Sequence, residues 1–115
     1  MAKSQMMAAA AVLALALTAF RAARVQQPDG QALFNDNCRK CHGLSGKPTH
    51  MALTEYPHIP TMDSAFALAR SEDSIVTILT NGKGKDMKSF KGKLSPAEMH
   101  AVAQYVRSLA MRPKS

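Results

Sequence analysis

Tryptophan is absent from the 115 residues, and aromatic residues of all kinds make up only 5%. A core built from this chain therefore rests on Ala, Leu, Val, Ile and Met, unless something other than side chains helps to fill it. Glycine and proline, six of each, are too few for a fibrous or low-complexity chain. No segment alternates apolar and polar residues as a half-buried strand does. Only one long apolar run exists, which excludes a multi-span membrane protein. The length excludes a second folded domain, since domains usually run roughly 100–150 residues. An apolar fraction of 46% excludes wholesale disorder.

Acidic residues are also scarce. Eight Asp and Glu face fifteen Lys and Arg, for a net charge of +7. Such a balance attracts acidic partners, anionic lipid or nucleic acid. The last is disfavoured here, because no recognition motif is present and aromatics do not interleave with the basic residues.

The apolar run, Met6 to Phe20, follows a single early charge, Lys3. Its 15 residues make about 22 Å of helix. A bilayer core of about 30 Å asks for roughly 20 residues. The run suits the apolar region of a secretory signal, with small residues at Ala14, Ala16 and Ala19 for cleavage. Arg21 and Arg24 follow directly, and an uncleaved anchor is the alternative. The resulting division is a signal or anchor over 1–24, a folded domain over 25–112 and a tail over 113–115. The folded part is small enough to need a staple, a metal or a cofactor.

The only two cysteines stand in Cys38-Arg39-Lys40-Cys41-His42. C-x-x-C-H is the attachment signature of c-type haem. Cysteines three apart lie about one helical turn from each other. Both thiols can then form thioethers with one porphyrin, while His42 offers a ring nitrogen to the iron. The export signal and the motif support one another, because covalent haem is attached outside the cytoplasm in bacteria. Three other readings exist. The pair could form a simple disulfide. A thioredoxin-like site needs a βαβ pattern that is missing. A zinc site recruiting His50 and His58 has those two eight residues apart, beyond the usual gap.

The rest of the chain reads as helices. Pro28-Asp29-Gly30 opens a helix over 30–40, with Ala32, Leu33 and Phe34 as apolar contacts. Asp63–Arg70 adds a short helix. Ser71-Glu72-Asp73 opens another, with Ile75, Ile78 and Leu79 inward and Asn81-Gly82 ending it. Ser95-Pro96-Ala97-Glu98 is a capping box with proline at the first helical position. The helix it starts runs to Ala110, with Met99, Val102, Val106 and Leu109 as its apolar stripe. His100 and Gln104 fall away from that stripe and are expected in solvent. The segment 43–62, with Gly43, Gly46, Pro48, Pro57 and Pro60, reads as an irregular loop.

With these residues in place, the chain over 29–110 resembles a small class I c-type cytochrome. The matching features are Gly30 and Phe34 before the motif, Cys38-Arg39-Lys40-Cys41-His42-Gly43 itself, a following loop with a methionine, and an aromatic, Tyr105, in the last helix. The resemblance implies an all-α fold of three to five short helices around one covalent haem. It implies that the first and last helices cross near Gly30, Phe34 and Tyr105. It also implies a sixth iron ligand in the loop before the terminal helix, where Met87 stands between glycines and lysines. Met62 is the second candidate, and His50 or His58 would give a bis-His site. Relatives often carry proline after the ligand, where this chain has Lys88. They orient the proximal histidine through a proline carbonyl, for which Pro48, Pro57 and Pro60 are candidates.

The implied activity is that of a single-electron carrier rather than an enzyme, shuttling between respiratory or dehydrogenase partners in the periplasm or another exported location, or else serving as a cytochrome subunit of a larger oxidoreductase. It would be either free or tethered to the membrane through residues 6–20. Lys83, Lys85, Lys88, Lys91 and Lys93 would ring the haem face and steer an acidic redox partner. The alternatives are a haem enzyme or gas sensor with an open sixth position, a non-haem CxxC thiol–disulfide protein, or a zinc protein.

Overall fold

Among the described residues, every helix longer than one turn begins on a side chain that accepts a hydrogen bond from its first turn. A computed structural model describes residues 25–113; the signal or anchor expected over 1–24 lies outside them. Asp29 caps α1 (Gly30–Asn37) by accepting from Ala32 N–H at 3.0 Å. A single turn, α2 (Arg39–His42), carries most of the cysteine motif. Thr49 caps α3 (His50–Glu55), Asp63 caps α4 (Ser64–Ala69) and Ser71 caps α5 (Glu72–Asn81). The capping box expected at Ser95 is formed: Glu98 N–H donates to Ser95 Oγ at 3.1 Å, and Ser95 N–H to Glu98 Oε2 at 2.7 Å. It starts α6 (Pro96–Ala110), which ends where its spacing predicts.

Helix α6 is the axis of the fold and packs chiefly on α1 and α5, with α4 touching it less. Its stripe of Met99, Val102, Val106 and Leu109 is buried, joined by Ala103 and Ala110. Phe34 of α1 and Ile75 and Leu79 of α5 complete the centre. Helix α1 comes close to α6 because residue 30 has no side chain: a Cβ there would lie 2.1 Å from Ala101 O. Beside that approach the Phe34 and Tyr105 rings meet at 5.4 Å between centroids, tilted by 57°. No strand forms among the described residues; the only extended pairings are isolated bridges at Lys83–Met87 and Lys91–Leu94.

Three expectations need correction. The helix read over 30–40 breaks at Cys38, whose backbone (φ −121°, ψ −33°) leaves the helical region before α2 resumes. The segment 43–62 is not wholly irregular, because α3 forms within it. That helix buries no residue, so it has no apolar stripe to reveal it. Of the three α1 contacts, Phe34 is buried and Leu33 half-buried, while Ala32 is exposed. His100 and Gln104 are exposed as expected, and both reach Glu72: His100 Nδ1 lies 2.8 Å from Glu72 Oε1, and Gln104 Nε2 donates to the same oxygen at 3.3 Å.

Candidate haem site

Cys38 closes α1 by donating its N–H to Phe34 O at 2.8 Å, and its carbonyl accepts from Cys41 and His42. This local turn sets both thiols and the imidazole along one wall of a cavity of about 710 Å³. Gly43 ends the turn at φ 77°, where a Cβ would strike Lys47 O. The cavity lies within the range of roughly 300–1,000 Å³ typical of ligand sites. Phe66, Ile75, Ile78, Leu79 and Val106 give it apolar walls. Met62 and Met87 both border it, from different segments.

The two methionines differ in their surroundings. Met62 is a buried core residue whose N–H donates to Gly46 O at 2.9 Å. Gly46 must be small there, since a Cβ would lie 2.8 Å from Met62 Cβ. Met87 is half-buried in a loop that projects from the end of α5. Among the other ligand candidates, His58 borders the cavity from an exposed position and His50 does not border it. Met51 is 80% exposed and plays no part in the site.

Electrostatics suit neutral donors. Burial pushes the Cys38 thiol up to about 11, with the Lys93 ammonium pulling the other way. Burial holds the His42 imidazole below the usual histidine range, so its ring is neutral and a nitrogen lone pair is free for a metal. His42 Nδ1 is itself buried without a hydrogen-bond partner, so none of the carbonyls of Pro48, Pro57 and Pro60 accepts from it. An imidazole whose Nδ1 is buried without a partner, two thiols and two thioethers around one apolar cavity match the donor set of a covalently held haem.

Of the five lysines expected at the rim, Lys83, Lys85, Lys88 and Lys93 border the cavity and Lys91 does not. Lys93 lies 5.6 Å from the Phe90 ring centroid. A further cation outside that lysine set, Arg70, also borders the cavity, its guanidinium 4.3 Å from the Phe66 ring centroid. Nothing in the local sequence marks it, because its position depends on how α4 packs.

A family model described as cytochrome c oxidase, cbb3-type, subunit III matches residues 25–106. The chain belongs to this family of c-type cytochrome domains. The cytochrome c6 of Leptolyngbya boryana is 36% identical over 77 residues, which are 67% of this chain and 85% of that protein. The cbb3-type cytochrome c oxidase subunit FixP of Bradyrhizobium sp. (strain ORS 278) is 32% identical over 82 residues, 70% of this chain. That match spans 26% of FixP, so the cytochrome domain corresponds to about a quarter of that subunit. A solved structure, the KustC0563 c-type cytochrome, superposes with a TM-score of 0.64 at 30% identity, covering 71% of this chain and 98% of the other. The fold is therefore the cytochrome c fold, with its all-α architecture and its helix crossing at Gly30 as expected. As a c-type cytochrome domain the chain carries covalently bound haem c and is a haem electron carrier.

Proposed function

We propose that this domain is a one-electron shuttle whose iron is held by His42 and Met87, with Cys38 and Cys41 as the thioether attachments. The observation that supports it most is that all four side chains border one apolar cavity. When bound, the haem supplies a one-electron iron couple. Cys38 and Cys41 fix its position covalently, and His42 offers a neutral ring nitrogen. Met87 contributes a thioether, which raises the potential relative to harder donors. Phe66, Ile75, Leu79 and Val106 exclude water and keep the local dielectric low, which also tunes the potential. Two protein ligands leave no open position for a substrate, which favours a carrier over an enzyme. Electrons pass to and from protein partners whose acidic surfaces complement Lys83, Lys85, Lys88 and Lys93. The domain works outside the cytoplasm, exported by residues 1–24 as a cleaved signal or an anchor.

Carbon monoxide tests this reading. Mixing CO with the reduced haem-loaded protein should give no rapid spectral change. Rapid binding would mean an open sixth position and would favour the enzyme or sensor reading.

A further inference from the structure

Met87 sits in a loop that leaves α5 at Gly82 and returns to it at Phe90. Lys83 N–H donates to Met87 O at 2.8 Å, and Met87 N–H to Lys83 O at 3.4 Å, closing a small antiparallel bridge. The returning chain passes Gly82 so closely that a Cβ there would lie 2.7 Å from Met87 O and 2.8 Å from Ser89 N. Beyond it, Phe90 N–H donates to Leu79 O at 2.8 Å. Lys88 and Ser89 lie between these two anchored points. Neither donates its N–H to a backbone carbonyl, and Lys88 has no ring to limit its φ.

The Ser89 hydroxyl supplies the missing constraint. Its Oγ donates to Thr80 O, in the last turn of α5, and accepts from Lys91 N–H at 3.1 Å. Thr80 O is one of the terminal carbonyls that a helix leaves without an internal donor. Among the described residues this is the only side-chain hydrogen bond from the loop to α5. The Thr80 side chain itself faces inward: its hydroxyl donates to Val76 O at 2.8 Å and lies 3.4 Å from Met99 Sδ of α6.

We propose that Ser89 is the positioning residue for the sixth iron ligand: its hydroxyl straps the Met87 loop to the last turn of α5 and holds the thioether against displacement by outside ligands. The proposal rests on the reading of Met87 as that ligand. A positioned ligand resists competitors in proportion to how far its loop is ordered beforehand, and partners behind a metal ligand alter its hold on the metal. The net worth of one hydrogen bond corresponds to roughly a 3- to 10-fold change in a competing equilibrium.

The test is an imidazole titration of the oxidised haem-loaded protein, followed by loss of the far-red absorption of a sulfur–iron(III) bond. Ser89→Ala should bind imidazole roughly 3- to 10-fold more tightly than the unsubstituted protein. Ser89→Thr keeps the hydroxyl and should bind it like the unsubstituted protein. A Ser89→Ala affinity equal to that of the unsubstituted protein overturns the proposal, as does a Ser89→Thr affinity equal to that of Ser89→Ala. If Met87→Ala keeps the far-red band, the ligand reading beneath the proposal falls instead, and the two failures are told apart.

Discussion

Gly30 and Ala101 bring α1 and α6 together backbone to backbone, and a Cβ on residue 30 would stand 2.1 Å from Ala101 O. The contact lets Phe34 and Tyr105 meet one turn away and aligns the helix that leads into Cys38. On an exposed helix, Gly→Ala gains about 1 kcal/mol of stability. Here the sign should reverse. Gly30→Ala is expected to cost about 1–3 kcal/mol through the forced separation of the two helices. Denaturant unfolding of the haem-loaded protein checks this, and an unchanged or raised midpoint would contradict it.

The Glu72–His100 contact ties the start of α5 to α6 and predicts a pH effect. The His100 hydrogen bond holds the Glu72 carboxyl below the usual range, against a smaller opposing push from burial. Its contribution to stability is therefore present above the ordinary glutamate range and lost as pH falls through the depressed folded value. Glu72→Gln should flatten the acid side of the stability profile between about pH 3 and 5. Parallel profiles for the two proteins would show that the contact contributes nothing measurable.

The lysines make a prediction that separates members of the set. Changing Lys83, Lys85 and Lys88 to Glu should slow oxidation of the reduced protein by ferricyanide, an anion, by roughly 10-fold or more at low salt. The decline of rate with added salt should vanish or invert. Lys91, which does not border the cavity, should have a smaller effect when changed alone. Equal effects from Lys91→Glu and Lys88→Glu would mean that net charge alone governs the encounter.

Much of this molecule is legible in one sequence because its signals are local. The residues Asp29, Ser71 and Ser95 each start the helix they mark, and the α6 stripe is buried as its spacing predicts. Helix α3 escaped because it buries nothing and so has no periodic pattern. The break at Cys38 escaped because helical spacing continues across it while the backbone does not. The Glu72–His100 contact spans 28 residues, and Arg70 reaches the cavity wall only once α4 has packed. The choice between Met62 and Met87 stays chemical, since one cavity admits both; the resemblance named Met87, and the loop geometry gives that residue a support of its own.

The most direct test of His42/Met87 ligation is the far-red absorption of the oxidised haem-loaded protein, compared among the unsubstituted chain, Met87→Ala and Met62→Ala. A sulfur–iron band is expected in the first and third and its loss in the second, with haem still attached in all three. Loss of the band in Met62→Ala with retention in Met87→Ala would transfer the ligand to Met62. Absence of the band from the unsubstituted protein, with low-spin haem attached, would contradict methionine ligation altogether.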